Sequence, residues 1–147
     1  MCSTRKRTKY VWEVCKKNYY DFGIDAFWLT TQNRFGDLID SVSIIAYIDG
    51  PALSCSNIYP QLYSRVFYDG MKAEGEENIV NLLRCAWAGS QKYGNVVWSG
   101  DVPSTFEAFY DQLQAGLNMG LAAFRWWTTD IGGFMTDDVN DPDFQQL

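Results

Sequence analysis

The clearest alternation of strand and helix patterns lies in residues 79–127, IVNLLRCAWAGSQKYGNVVWSGDVPSTFEAFYDQLQAGLNMGLAAFRWW. Three short apolar runs, at 79–83, 96–98 and 122–127, predict buried strands. Between the last two runs, apolar residues recur at helical spacing, namely Phe106, Phe109, Tyr110, Leu113 and Leu117. Strands that are apolar on both faces and alternate with amphipathic helices are typical of a parallel sheet covered by helices, so the sequence predicts an α/β fold.

The N-terminal half of the chain shows the same alternation. Gly23 separates a first predicted helix from a predicted strand at 24–29. The apolar face of that helix is expected on Val11, Val14, Cys15 and Tyr19. A second predicted helix opens at Pro60, a favourable residue for a first turn. Its apolar stripe consists of Leu62, Tyr63, Val66, Phe67 and Met71.

The composition narrows the classes of function. The chain has 147 residues, of which 47% are apolar and 20% charged, which suits one domain with a buried core. Its net charge of −6 argues against nucleic acid and against an anionic membrane surface as partners. The sequence shows neither the pattern of a spanning segment nor that of a signal peptide, and the basic leader at 1–9 is expected to be a solvated terminus.

The absence of histidine and the scattering of cysteine limit the chemistry further. Without histidine, Ser-His-Asp and Cys-His nucleophile systems and most zinc sites are excluded. The four cysteines, Cys2, Cys15, Cys55 and Cys85, form no Cys-x-x-Cys pair and are expected to be reduced thiols. We therefore expect no metal and no other cofactor, and any catalysis must use carboxylates.

Polar side chains follow three of the predicted strands. Arg84 comes directly after one strand, Trp98 and Asp101 mark the end of the next, and Trp127 and Asp130 mark the end of a third. Taken alone, Arg84 is better explained by a structural ion pair, and Asp101 by a helix cap or turn. Because chemistry in parallel sheets concentrates where strands end, the three segments together indicate a pocket for a neutral, polyhydroxylated ligand.

Three ordered motifs in these segments resemble glycoside hydrolase family 31. They are RCAWAGSQKYG at 84–94, WSGD at 98–101 and DIGGF at 130–134. The similarity extends over residues 10–29 and 49–135 and is greatest to α-xylosidases and α-glucosidases. It implies that residues 1–147 are an incomplete segment of a (β/α)8 TIM barrel, related to retaining exo-α-glycosidases that act on α-linked oligosaccharides or glycosides.

The resemblance also assigns roles to individual positions. Asp101 matches the general acid/base of the family. The residues that match the subsite for the cleaved sugar are Arg84, Trp98, Asp130 and Phe134. Trp127, at the end of the aromatic strand, is a further candidate for stacking on a sugar ring.

The position that matches the family's catalytic nucleophile carries the wrong residue. Family members have an Asp just after the strand at 24–29, whereas this chain has Thr30. Retaining hydrolysis needs a second carboxylate about 5 to 5.5 Å from the first, and a threonine hydroxyl with no histidine to activate it cannot replace one. We therefore expect this chain to be catalytically inactive.

A frame change would explain the residues around Thr30. A family-like Leu-Asp-Asp-Ala-Glu-Pro can be encoded as CTG GAC GAC GCA GAA CCG G. Deleting the first G of the first Asp codon changes the reading to Leu-Thr-Thr-Gln-Asn-Arg, which is the sequence at 29–34. We hypothesise that 30–47 are read out of frame, and the coding DNA tests this. If the neighbouring frame yields no Asp and Glu at codons 30 to 34, the hypothesis is wrong.

A barrel of this type needs roughly 250 residues. An incomplete barrel has open sheet edges and uncovered helix faces, which predict self-association and weak independent folding. The acidic tail at 136–147 is expected to be solvated.

Two alternatives to a glycosidase fragment stay open. One is a non-catalytic carbohydrate-binding remnant that uses Trp98, Trp127 and Arg84, and the other is a structural piece of a split barrel.

Overall fold

The computed structural model describes residues 5–29, 46–47, 50–51, 55–136 and 138–147. Its helices are α1 (Arg5–Asn18), α2 (Tyr59–Ala73), α3 (Phe106–Leu121) and α4 (Pro142–Gln146). Its strands are β1 (Trp28–Leu29), β2 (Ala46–Tyr47), β3 (Gly50–Pro51), β4 (Asn81–Leu83), β5 (Asn95–Trp98) and β6 (Trp127–Thr128). The chain divides into two compact units, residues 1–95 and 96–147. In the part of the chain that the structure describes, every helix is too short or too polar to cross a membrane.

Parallel pairing of strands is present in each unit. In the first unit β1 pairs with β4 in parallel, with Trp28 opposite Leu82 and Leu29 opposite Leu83. The side chain of Asn81 supports this pair, because its Oδ1 accepts a hydrogen bond of 3.0 Å from the N–H of Phe27. β2 and β3 form a separate antiparallel pair. The parallel pairing and the helices between strands confirm the predicted α/β class.

The core of the first unit lies where α1 and α2 meet β1 and β4. Its buried members are Trp12, Leu29, Val66, Phe67, Met71, Ile79 and Leu83. The ring of Trp12 packs edge-on against Phe67 with centroids 6.3 Å apart, and it lies directly over Gly70. A Cβ at Gly70 would come within 2.6 Å of three ring atoms, so this helix contact depends on glycine. The stripe predicted for α2 is confirmed at its last three positions, Val66, Phe67 and Met71, which are buried.

The face predicted for α1 was partly wrong. Val11 and Cys15 pack against the core as expected, but Val14 and Tyr19 are exposed and Trp12 is buried instead. At 3.6 residues per turn, Val14 lies about 200° around the helix from Trp12, so the two cannot share a face. The large ring of Trp12 decides which side of the helix is covered.

Three of the observed strands are shorter than the predicted ones, whereas β5 is one residue longer than the predicted run at 96–98. The strand predicted at 24–29 is limited to β1, and the one at 79–83 to β4. The largest difference is at 122–127, where Ala123 adopts a φ of 62° in the turn that ends α3. The N–H of Ala123 bonds to the carbonyl of Gly120, so these residues finish the helix and the strand starts only at Trp127.

The second unit contains β5, α3 and β6. β5 and β6 pair in parallel, with Val97 opposite Trp127 and Trp98 opposite Thr128. The hydroxyl of Thr105 accepts a hydrogen bond of 3.1 Å from the N–H of Ala108 and so caps α3. The predicted apolar stripe is present on α3, but its residues are largely solvent-exposed, namely Phe106, Phe109, Tyr110, Leu113 and Leu117. This helix face is therefore uncovered in the described part of the chain.

Candidate functional site

Two loops of the second unit begin where β5 and β6 end, as expected for the edge of a parallel sheet that carries chemistry. The first loop follows Trp98 and the second follows Thr128. They are joined at their start, because the N–H of Ser99 bonds to the carbonyl of Thr128 at 3.2 Å. The hydroxyls of Ser99 and Thr129 are also hydrogen-bonded, at 2.8 Å. The two loops thus leave the sheet side by side.

The indole of Trp98 orients the carboxylate of Asp130. Trp98 is buried, and its Nε1–H donates a hydrogen bond of 2.9 Å to Oδ1 of Asp130. The other carboxylate oxygen, Oδ2, is buried and accepts no hydrogen bond from any residue that the structure describes. A buried acceptor without a donor costs about 1–3 kcal/mol, so this oxygen is suited to a hydrogen-bond donor from a ligand.

The loop that carries Asp101 is fixed to the loop that carries Asp130. The carbonyl of Val102 accepts hydrogen bonds from the N–H groups of Phe134 and Met135, at 2.9 and 3.1 Å. The N–H of Ser104 bonds back to the carbonyl of Met135 at 2.7 Å. These three bonds hold the two loops in register, and we call them the loop staple.

Gly133 makes the loop staple possible. Its φ is 78°, a conformation that favours glycine, and a Cβ there would lie 2.4 Å from Cα of Ser104. The backbones of the two loops therefore approach more closely than any side chain allows. Asp101 itself is half-buried within this arrangement.

Phe134 and Trp127 occupy different surroundings from the Trp98–Asp130 pair. The N–H of Phe134 belongs to the loop staple, but its side chain is exposed. The ring of Trp127 packs against Gly116 of α3, where a Cβ would meet its Cδ1 at 2.6 Å. Trp98 is thus the indole that contacts the Asp130 carboxylate, and the stacking role of Trp127 stays a prediction.

Arg84 belongs to the first unit, where it follows β4 and is half-buried. Beside it, burial raises the pKa of the Cys85 thiol to about 11, against the opposing effect of the Arg84 charge. Cys85 is therefore a protonated thiol at neutral pH and a poor nucleophile. Burial also raises the pKa of Cys15.

Several structural residues of the site were missed by sequence reasoning. Ser90 is fully buried and closes the turn after Arg84. Its Oγ accepts a hydrogen bond of 3.1 Å from the N–H of Trp87. Its carbonyl accepts a hydrogen bond of 3.0 Å from Nδ2 of Asn95. The Ser99–Thr129 bond and the Ser104–Gly133 contact were missed as well. Small polar residues next to predicted strand ends were the available signal, but their pairing depends on register, which the sequence does not show.

Thr30, the proposed lost nucleophile position, lies outside the described residues, as does most of the segment at 30–47 for which a frame change was hypothesised. Among the residues that are described, no three His, Cys, Asp or Glu side chains come together in a way that could hold a metal ion.

Comparisons with known proteins cover most of the chain. The Glycosyl hydrolases family 31 TIM-barrel domain matches residues 2–146. The chain is 52% identical over 139 residues to an uncharacterized family 31 glucosidase, ORF2, from Pseudescherichia vulneris, covering 95% of this chain and 26% of that protein. It is 35% identical over 135 residues to an α-xylosidase of Saccharolobus solfataricus, covering 89% of this chain and 18% of that protein.

Among solved structures, an α-xylosidase from a soil metagenome, in complex with xylose, is similar with a TM-score of 0.91 and 54% identity. This likeness covers 99% of the present chain and 21% of the xylosidase chain. The chain therefore spans about a quarter or less of the relatives that it matches.

Proposed function

The chain belongs to glycosyl hydrolase family 31, as an incomplete segment of its TIM-barrel domain, and from that premise we propose that it retains a sugar-binding site but not hydrolysis. The ligand would be an α-linked oligosaccharide or glycoside, with xylose or glucose as the sugar held in the site. Asp101 would correspond to the acid/base, and Arg84, Trp98, Asp130 and Phe134 to residues around the bound sugar.

The observation that carries this proposal is the geometry of Asp130. One carboxylate oxygen is held at 2.9 Å by Trp98, which fixes the plane of the group, and the other is buried without a donor. A sugar hydroxyl supplies a neutral donor, and a hydrogen bond to a charged acceptor contributes about 1.5–3 kcal/mol. Trp98 is held at the same time, so the pair is organised before any ligand arrives.

The proposed loss of hydrolysis rests on the missing second carboxylate. In a retaining reaction one carboxylate attacks the anomeric carbon and forms a glycosyl ester with it. The bond to the glycosidic oxygen breaks at the same time, and an acid protonates that departing oxygen. Asp101 supplies the acid, but Thr30 has a hydroxyl that must first lose a proton. The sequence has no histidine to accept that proton, so the covalent intermediate does not form.

Hydrolysis is tested with 4-nitrophenyl α-xyloside and the corresponding glucoside. We expect the wild-type chain and Asp101→Asn to release nitrophenolate at the same rate as buffer. Release by the wild type that is lost in Asp101→Asn would show that the chain is an active glycosidase and that the proposal is wrong.

Binding is tested by titrating the chain with xylose and following tryptophan fluorescence. We expect a saturable change that weakens about tenfold or more in Asp130→Asn, because loss of one charged hydrogen bond of 1.5–3 kcal/mol has that effect. Asp111→Asn, an exposed change on α3, is the matched control and should leave the affinity unchanged. If the wild type shows no saturable response, sugar binding is wrong and the reading as a structural piece of a split barrel is favoured.

A further inference from the structure

A second side-chain hydrogen bond joins the two loops of the site, and it lies directly beside the Trp98–Asp130 bond. It is the bond of 2.8 Å between the hydroxyls of Ser99 and Thr129. Each of these residues is the chain neighbour of one member of the Trp98–Asp130 pair. The N–H of Ser99 also bonds to the carbonyl of Thr128, so the ladder of the sheet continues as far as the hydroxyl pair.

The two side-chain bonds lie on opposite faces of the sheet. Successive residues of an extended chain point to alternate faces, so Ser99 is turned away from Trp98 and Thr129 is turned away from Asp130. Thr129 lines the space beside α3 together with Trp127, whereas Trp98 and Asp130 do not. The hydroxyl pair therefore faces the helix, and the proposed sugar site faces the other side of the sheet.

The position of the Asp130 carboxylate depends on Thr129. In the register of β5 and β6, Trp98 stands opposite Thr128, so its indole reaches Asp130 two residues further along the chain. Thr129 is the single residue between them, and rotation of its backbone would move the Asp130 carboxylate away from the indole. The hydroxyl bond to Ser99 opposes that rotation, because it fixes a β-branched side chain whose χ1 is already restricted.

Burial alone does not explain hydroxyls at these two positions. One step earlier in the register, on the same face, Val97 stands opposite Trp127. Val97 is buried and Trp127 is half-buried, so this face accepts apolar side chains. What the hydroxyls of Ser99 and Thr129 add is direction, since each provides one donor and two acceptor sites for a hydrogen bond.

We propose that Ser99 and Thr129 are positioning residues of the sugar site, whose mutual hydrogen bond holds the Asp130 carboxylate against Trp98. Because the indole fixes Oδ1, holding the backbone at Thr129 also fixes the direction of the buried Oδ2. The inference rests on the proposed function, since it takes Asp130 as the acceptor for a sugar hydroxyl. Both hydroxyls act on the sugar through Asp130 and not by contact with it.

Thr129→Val tests the pair, because it keeps the branched shape of the side chain and removes the hydroxyl. We expect the indole N–H of Trp98 to exchange with solvent about fivefold faster in this variant. The exchange is measured by NMR, with the signal assigned by its loss in Trp98→Phe. We expect the affinity for xylose, followed by tryptophan fluorescence, to fall about fivefold as well. A fivefold change corresponds to about 1 kcal/mol, the net contribution of one hydrogen bond.

Two further variants test whether the hydroxyls act as a pair. Thr129→Ser keeps the hydroxyl and should restore the indole exchange and the affinity to the wild-type values. Ser99→Ala should have the same effect as Thr129→Val. The double variant Ser99→Ala/Thr129→Val should show no larger effect than either single change, because both remove the same shared bond.

Thr105→Ala is the matched control for stability. It removes the side-chain cap of α3 and so destabilises the same unit by a similar amount. The Ser99–Thr129 bond is left intact, and the indole exchanges by local opening of the loops. Indole exchange and xylose affinity should therefore stay at the wild-type values in this variant.

The outcomes separate this inference from the proposed function. Indole exchange at the wild-type rate in Thr129→Val would overturn the inference, as would faster exchange with unchanged xylose affinity. Effects of Ser99→Ala and Thr129→Val that add in the double variant would show that the hydroxyls do not act as a pair. If the wild type binds no xylose while Thr129→Val still exchanges faster, the proposed function is wrong and the positioning of Asp130 by the pair is upheld.

Discussion

The loop staple makes a sharp prediction for Gly133→Ala. The added Cβ would lie 2.4 Å from Cα, 2.6 Å from Oγ and 2.7 Å from the backbone N of Ser104. Two of these three atoms are backbone, so a rotamer change cannot relieve the contact. A left-handed φ costs an alanine about 1–2 kcal/mol, and overpacking adds about 1–3 kcal/mol.

Gly132→Ala separates the two costs. Its φ is 90°, close to the 78° of Gly133, but a Cβ there would be 3.6 Å from the nearest atom, the carbonyl oxygen of Leu147. Gly132→Ala should therefore be destabilised by the backbone strain but not by a close contact. The difference between the two variants in the free energy of loop opening isolates the overpacking, which costs about 1–3 kcal/mol. A free energy of this size changes the opening equilibrium about 5- to 150-fold.

The assay is hydrogen exchange of the three staple amides, those of Ser104, Phe134 and Met135. We expect their protection in Gly133→Ala to be about 5- to 150-fold lower than in Gly132→Ala, since opening of the loops exposes them. Far-UV circular dichroism verifies that both variants keep their helices. Equal protection in the two variants would refute the reasoning, because the contact with Ser104 would then carry no free energy.

Two further predictions concern the first unit and the thiols. Gly70→Ala should lower the free energy of unfolding by about 1–3 kcal/mol through overpacking against Trp12, whereas Gly120→Ala, in an open helical position, should raise it by up to about 1 kcal/mol, both measured by urea unfolding. With its pKa raised to about 11, Cys85 should react with iodoacetamide at pH 8 roughly a hundredfold more slowly than in the denatured chain, by mass spectrometry, and faster as pH rises toward 11. Equal urea unfolding midpoints for Gly70→Ala and Gly120→Ala would contradict the first prediction. Equal labelling rates of Cys85 in the native and the denatured chain would contradict the second.

The sequence predicted the class of fold because its apolar runs are separated by helices of strong periodicity. The prediction for α2 was accurate, because this helix has no second apolar face that competes with the stripe ending at Met71. It failed on α1, where Trp12 and Val14 offer two apolar sides and only packing against Phe67 and Gly70 selects one. It also failed at 122–127, because the positive φ of Ala123 is set by the end of α3 and not by local apolarity.

The candidate site was predictable at the level of residue types and not at the level of contacts. The aromatic and acidic residues after each strand were visible, and the family resemblance gave them roles. The sequence did not show that Trp98 donates to Asp130 across 32 positions, nor that Gly133 packs on Ser104. Both contacts depend on the register between β5 and β6, which single-sequence periodicity does not specify.

The proposed binding site and the proposed nucleophile position belong to different parts of this chain. The Trp98–Asp130 pair and the loop staple lie entirely within the second unit and are held by that unit's own backbone bonds. The nucleophile position, Thr30, precedes that unit by more than 60 residues in the sequence. In the proposed function, the Asp-to-Thr difference at position 30 removes the second carboxylate of a retaining pair, whereas the hydrogen bond that orients Asp130 comes from Trp98 of the second unit. In the proposed function, the oriented acceptor contributes to holding a sugar, whereas cleaving the sugar's acetal needs both carboxylates, so we expect hydrolysis to be lost and binding to survive.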